Sequence, residues 1–536
     1  MRCLVALVLV AACFSSGAGE RRDAGVRDAT VDATTPRTTP RIRLRAHTEE
    51  GIVLRLQYDE DVRFWGYFDG PLTIGDDVVV PDRDLEIIAV DLSSDLRWQV
   101  RTSHDGDEEW PFANPEFIAS LDLIYGDEGT FTLRGFTPEQ AFVPDLAPLR
   151  EGFLGRFDRS GRAEQITDEL SPAIAGATSA NRTVTAYAID PERPLRIGER
   201  LVTTRAEMAL VMVGLGTDGE PWTRLCYEGP NNPDLDLFLS MDGAGSLTAM
   251  MSRLSEELTA EVFGEELTGV DAVLSRVGAD GTFGPIEPFE RRRSVRTAGE
   301  VLLLQQGETC VVTGFRDGRM SGTQELPGIC HAEGAPGGAH VAAVQDGVTT
   351  VARVDGNGTL QWSREVPGVR ALPTRNGVWV IQEFGPADAP FQLGDVRRET
   401  ADGALAFVFV NASGEVARVE FLDEIGNDTL DLIAPMVAYE DSVFAFGYSE
   451  VRGQSALTVI TAGPSGTKRA RFAGPGPELG CADTFSFCGL APHAGGVDAW
   501  LSWRGSLTLP EGRELFGAAG EFLDRRGGAL VQISFE

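Results

Sequence analysis

Asp355 and Asn357 stand two residues apart in the stretch VDGNGTLQW, with Thr359 two further on, which is the alternation from which a calcium loop draws its oxygen ligands. The acid that closes such a loop is missing, and Gly and Asn at a corner are equally what a two-residue hairpin turn requires for positive φ. The turn is therefore the reading taken. Asp234, Asp236 and Asp242, in NNPDLDLFLSMDG, form the densest set of potential oxygen ligands and are the candidate cation site. The five histidines, His47, His104, His331, His340 and His493, contain no HExxH and no i, i+4 pair. His331 and His340 flank the loop HAEGAPGGAH, from which they and Glu333 could reach a metal, although a solvated loop explains them as well. Gly214 to Gly219, GLGTDG, copies a dinucleotide-binding fingerprint but leads into EPWTRL rather than a helix, and Ser465 to Lys468, SGTK, copies a nucleophile motif without its partner motifs. No nucleophile elbow or phosphate loop occurs, and 81 acidic residues make any carboxylate pair uninformative. These residues assign no catalytic group and imply no cofactor.

The elements that would carry them are short. Beyond residue 41, runs of Val, Leu, Ile and Phe alternate with small or polar residues between Gly, Asp, Asn and Pro, the pattern of strands. One segment, Ser246 to Phe263, has helical spacing and is expected to be a helical insertion. LGRFDRSG, LSRVGADG and VARVDGNG share an apolar, small, Arg, apolar run followed by a four-residue turn ending in Gly. With looser copies, the first turn position falls at Asp91, Asp158, Gly214, Gly278, Asp355, Asn411 and Gly463. A second element, LTIG at Leu72, LRIG at Leu195 and FQLG at Phe391, precedes three of these turns by 19 or 20 residues. SLTLPEGREL from Ser506 with GALVQISF from Gly528 reads as a truncated eighth copy. A unit of about 60 residues made of short strands suits one four-stranded propeller blade, whose two apolar faces are hidden only by stacking. The expected fold is all-β, a β-propeller of seven or eight four-stranded blades, with GIVLRLQY and VRFWGYF joining the last blade or founding the first.

CVVTGFRDG, LTIG, LGRFDRSG and VDGNGTLQW resemble the slots of the bacterial β-propeller repeat family often labelled SBBP, over residues 50 to 536. That resemblance implies a propeller fold and a secreted or surface location in large-genome Gram-negative bacteria, and no established reaction. The repeat's Trp survives at Trp98, Trp222 and Trp362, and residues 225 to 260 fit the family pattern badly.

The N-terminus points to the same compartment. One Arg precedes a nine-residue apolar run from Leu4 to Ala12, too short to span a bilayer and suited to a secretory signal. Val10, Ala11, Ala12 and Cys13 resemble a lipobox, which makes Cys13 the expected acylation site. Residues 1–13 are thus expected to be the signal with its lipobox, 14–41 a disordered tether poor in apolar side chains, and 42–536 the propeller. Of the remaining cysteines, Cys310 with Cys330 and Cys481 with Cys488 are the disulfide candidates, leaving Cys226 as a buried thiol. A net charge of −34 repels phosphate backbones and excludes nucleic acid as a partner. The expected protein is a monomer held to the outer membrane or cell surface only through its lipid, acting as a binding or scaffolding module for an envelope protein or glycan. The alternative is a propeller-fold enzyme, a quinone-dependent dehydrogenase or a hydrolase.

Overall fold

The computed structural model describes residues 40–535 apart from 103–121, 143–152, 166–172, 474–487, 518–526 and loop stretches of five residues or fewer. Residues 1–38, with the signal, Cys13 and most of the tether, lie outside the described residues.

The described chain is all-β. Valine, isoleucine, phenylalanine and alanine fill its central strands without alternation, as in Ala404–Asn411, ALAFVFVN, where all but the last residue are buried. A strand covered on both faces has no polar side to show, so its sequence is continuously apolar. Outer strands differ: Arg319–Pro327, RMSGTQELP, is exposed along most of its length.

Among the described residues, nine sheets hold four or more strands. Their first strands, in chain order, are Gly51–Tyr58, Asp122–Tyr125, Ala173–Ser179, Asp236–Met241, Ser294–Ala298, Ile329–Ala335, Arg370–Thr374, Thr429–Tyr439 and Gly489–His493. The first eight are antiparallel meanders that take their first to fourth strands in order. The ninth runs Gly489–His493, Gly496–Trp503, Gly527–Ser534 and then Arg41–Thr48, so its fourth strand comes from the other end of the chain. Arg41 lies opposite Ser534 and Thr48 opposite Gly528. GIVLRLQY and VRFWGYF found the first sheet, as one of the two expected arrangements had it.

The recurring turn joins the third strand of a sheet to its fourth, as Asp355 and Asn411 show. The sequence frame counted seven such turns and a truncated copy, and nine sheets exceed that number because the interval from 278 to 355 contains a whole sheet. This is the fifth, whose third strand Thr309–Arg316 turns back tightly into Arg319–Pro327. The second repeated element is a hairpin inserted between second and third strands, at Leu72–Ile74 with Asp77–Val79, Leu195–Ile197 with Arg200–Val202, and Phe391–Leu393 with Val396–Arg398. Gly505–Thr508 with Glu514–Gly517 is another.

Ser246 to Phe263 is not a helix. Leu247–Ser252 is the second strand of the fourth sheet, and Thr259–Val262 opens a further inserted hairpin with Glu265–Thr268. Every residue of LTAMMS is buried, so the strand shows none of the alternation that distinguishes strand from helix.

The interior is a series of cores between successive sheets. Val184, Leu210, Leu247 and Met251 fill the space between the third and fourth, and Leu303, Val312, Val341 and Val354 that between the fifth and sixth. Phe64, Ile88, Trp500 and Leu530 belong to a core shared by the first and the ninth.

Candidate functional site

The turn at Asp355 consumes its own oxygens. Asp355 Oδ1 accepts the Asn357 and Thr359 amides, each at 2.9 Å, and Oδ2 accepts the Gln361 side-chain amide at 2.8 Å. Asn411 repeats the device, its Oδ1 accepting the Ser413 and Glu415 amides. These are capped turns, and each receives the fourth strand of the preceding sheet. Trp362 donates its indole N–H to the Ala412 carbonyl at 3.0 Å and lies so close to Gly414, at φ +83°, that a Cβ there would come within 2.7 Å of the ring. Trp222 closes on Gly281 in the same way. At Trp222 and Trp362 the repeated Trp is a wedge between sheets.

The other predicted residues are scattered. Among the described residues no three His, Cys, Asp or Glu side chains converge on a metal position. Asp236 pairs with Arg253 at 2.9 Å, while Asp234 and Asp242 lie outside the described residues. His340 is buried, its Nδ1 bonded to the Thr374 carbonyl at 2.8 Å and its Nε2 to Arg353 at 3.0 Å. Burial, then the Arg353 charge, holds it below its ordinary pKa, so the ring is neutral, with Nδ1 donating and Nε2 accepting. Gly214 lies within the strand Met208–Leu215, and the chain from Pro221 to Gly229 is the strand paired with it, so the fingerprint does not open onto a helix there. Lys468 donates to the Phe535 carbonyl. Cys310 and Cys330 form a disulfide between the third strand of the fifth sheet and the first strand of the sixth. Cys488 is disulfide-bonded, and Cys481 lies outside the described residues. Cys226 is buried, its thiol 3.1 Å from the Leu210 carbonyl, and burial pushes its pKa far up, which makes it inert as a nucleophile.

Two constellations were not visible in the sequence. The first sits where the ninth sheet meets the first. After their two-residue turns, the second strands of six sheets place Val184, Leu303, His340, Trp379, Phe444 and Asp498 at the third position. Five of these six are buried aliphatic, aromatic or imidazole side chains, and the sixth is a fully buried carboxylate. Arg45 spans it and Asp61: Nη1 and Nη2 hold the Asp61 oxygens at 2.6 and 2.8 Å, and Nη1 reaches Asp498 Oδ1 at 3.4 Å. His493 Nε2 lies 3.4 Å from Asp498 Oδ2, its Nδ1 accepts the Gly495 amide at 3.2 Å, and its ring stacks on Tyr58 at 4.8 Å. Burial raises Asp498 to about 6 against the opposing pull of Arg45, whereas the Arg45 hydrogen bonds hold Asp61 below the usual range. Burial and then Arg45 lower His493. The contacts of Arg45, Asp61, His493 and Asp498 bind strands from both chain ends into one junction.

The second is an open surface. The first strands of the third to seventh sheets pack side by side in order. Their exposed faces carry Ile174, Phe238, Arg296, Ile329 and His331, with Val369 immediately before Arg370–Thr374. Ser240 Oγ accepts the Thr297 amide at 3.1 Å, and Arg296 Nη1 approaches His331 Nδ1 at 3.4 Å, which ties the fourth, fifth and sixth sheets along this face.

No family model matches the chain, and no curated protein matches it. Among solved structures it is similar to a eukaryotic initiation factor at 8% identity, covering 80% of this chain and 96% of that one with a TM-score of 0.40. A prolyl endopeptidase matches at 12% identity over 79% of this chain and 54% of its own, TM-score 0.29. The polysaccharide lyase Uly1 matches at 11% identity over 78% and 90%, TM-score 0.28. Similarity of this degree transfers no residue role to the chain.

Proposed function

We propose that the nine sheets are blades of one propeller ring and that the protein is an extracytoplasmic binding or scaffolding module, acylated at Cys13 and held to the cell envelope by that lipid alone. The ring reading draws support from Arg41–Thr48 completing the ninth sheet and from the core that the ninth sheet shares with the first. The secreted location draws support from the signal-like N-terminus and from the Cys310–Cys330 disulfide, which persists in an oxidising compartment. The observation that carries the binding function is the face of first strands, where Phe238 is 44% exposed on the fourth sheet and Ile329 42% on the sixth, on either side of the fifth. Large apolar side chains left exposed along one face support a contact site there. The partner is an envelope protein or glycan met by a monomer. Affinity capture from envelope extract with the intact chain and with Phe238→Ser tests the binding function. A specific partner lost in the variant is expected; substrate turnover with no partner recovered would overturn it. Labelling with a palmitate analogue, lost on Cys13→Ser, tests the anchor.

A further inference from the structure

Three of the recurring turns hold a polar side chain at the third of their four positions: Asp280 in GADG, Asn357 in DGNG and Ser413 in NASG. Two of those side chains belong to the turn. Asp280 accepts the Thr282 amide at 3.0 Å and the Thr282 hydroxyl at 2.7 Å, and Ser413 donates its hydroxyl to Asn411 Oδ1 at 2.7 Å. The Asn357 side chain has no such part. Asp355 caps the corner through the Asn357 backbone amide, the side chain of Asn357 makes no hydrogen bond among the described residues, and the positive φ of the turn falls on Gly358, at +76°. The backbone here is shut in: Gly356 and Gly358 are buried, and Gly314 and Gly322 of the fifth sheet lie against the turn with no room for a Cβ. Of residues 355–359, Asn357 and Thr359 alone are exposed.

Neither capping, packing nor backbone conformation accounts for an asparagine at 357. It is followed by Gly358 and Thr359, the Asn-x-Thr pattern of an asparagine-linked glycan acceptor, whose side-chain amide and second-neighbour hydroxyl must both be open to the transferring enzyme. We propose that Asn357 is such an acceptor, receiving an oligosaccharide from a polyprenyl-diphosphate donor, a step that rests on the extracytoplasmic location proposed for the chain. Asn357 Nδ2 bonds to C1 of the first sugar, the C1–O bond to the diphosphate breaks, the amide yields one proton to the transferring enzyme, and the lipid diphosphate leaves. Asn411 carries the same pattern with Ala412 and Ser413, but the fold withholds it. Its Oδ1 accepts the Ser413 amide, the Ser413 hydroxyl and the Glu415 amide, and its Nδ2 donates to Glu415 at 3.4 Å, so transfer there must first dismantle the turn. Asn181 and Asn427, which also precede Thr by two residues, lie outside the described residues. An Asn-Gly pair can instead deamidate, by attack of the glycine nitrogen on the asparagine side chain; here the Gly358 nitrogen is held by donating to the Asp355 carbonyl at 2.9 Å.

The test combines the purified full chain, a purified bacterial oligosaccharyltransferase and its polyprenyl-diphosphate oligosaccharide, with the digested product read by peptide mass spectrometry. A glycan on the Asn357 peptide and none on the Asn411 peptide is the expected result. Asn357→Gln and Thr359→Ala should each lose the Asn357 glycan, and Thr359→Ser should retain part of it. Both side chains are exposed, and circular dichroism shows whether each variant is folded. No glycan at Asn357, transfer to Asn411 as complete as to Asn357, or transfer that survives Thr359→Ala overturns the proposal. So does conversion of Asn357 to aspartate or isoaspartate with no sugar attached. The same peptide from chain recovered in envelope extract should carry the glycan, and a bare Asn357 there overturns the site as one the cell uses. Because the transfer reaction is run outside the cell, its failure leaves the extracytoplasmic location standing. A chain confined to the cytoplasmic fraction would instead remove that location, and this modification with it.

Discussion

Asp498 occupies a position that sister strands fill with Val184, Leu303, Trp379 and Phe444, and the substitution has a measurable consequence. Its folded pKa, about 6, is raised from an ordinary 3.8, so the folded state binds this proton more tightly than the unfolded chain. Stability from this group is fully present below the unfolded value and is lost as pH rises through 6. At pH 7 the ionised carboxylate therefore costs about 3 kcal/mol, a net figure that already contains the pull of Arg45. Asp498→Asn, which cannot ionise, should narrow that cost. Its urea midpoint relative to the parent should rise between about pH 4 and pH 7 and stay constant above. His493 moves the other way, because its lowered pKa contributes stability that is lost as pH falls. A difference between the two midpoints that ignores pH would show that the Asp498 carboxyl is not buried as described.

At the scale of elements, successive sheets are held by a wedge and by a covalent staple, and each can be removed. Gly414 combines φ +83° with close approach to Trp362, so Gly414→Ala meets both backbone strain and the indole, at about 2 kcal/mol or more. Gly394, at φ +58° with nothing within 4 Å, supplies the control: Gly394→Ala pays only the backbone part, about 1 kcal/mol. Equal losses in urea unfolding would mean that Trp362 does not wedge the seventh sheet. Replacing both Cys310 and Cys330 by Ser reopens a loop of 20 residues between the fifth and sixth sheets and should cost about 3 kcal/mol, read as the difference from the oxidised parent. What the sequence disclosed of these elements follows from their chemistry. Turns at Asp355 and Asn411 are legible because a side-chain oxygen must cap the corner and a Gly must supply positive φ three residues on. The fifth sheet was hidden because its third strand returns after Arg316 through two residues in place of four, and no Trp follows. Leu247–Ser252 passed for a helix because burial on both faces erases alternation. Arg45, His493 and Asp498 could not be grouped in advance, since Arg45 and Asp498 are 453 residues apart and only pairing of the chain's two ends brings them together.

At the scale of the whole molecule, everything turns on Arg41–Thr48. This strand lies between Gly527–Ser534 and the hairpin strand Leu72–Ile74, so a segment from the beginning of the chain is flanked by its last strand and by an extension of the first sheet. Without it, Gly527–Ser534, whose residues are nearly all buried, would present a bare row of backbone donors and acceptors along an apolar strand. Such an edge pairs with another copy. The Arg45 guanidinium would leave with the strand, and Asp498 would be a buried carboxylate with no cation, which is costlier than the intact group. A chain beginning at Glu49 should therefore elute as dimers or larger species and unfold at lower urea than the parent. A chain beginning at Thr39 keeps the strand and should match the parent in both respects. Adding a synthetic peptide of residues 41–48 should return the shortened chain toward the monomer, and the same peptide with Arg45→Gln should do so less well, because it restores the backbone ladder without the charge that Asp498 and Asp61 require. If the chain from Glu49 is monomeric and unfolds like the parent, the N-terminal strand does not complete the ninth sheet in solution, and the ring proposed for the nine sheets loses its closure.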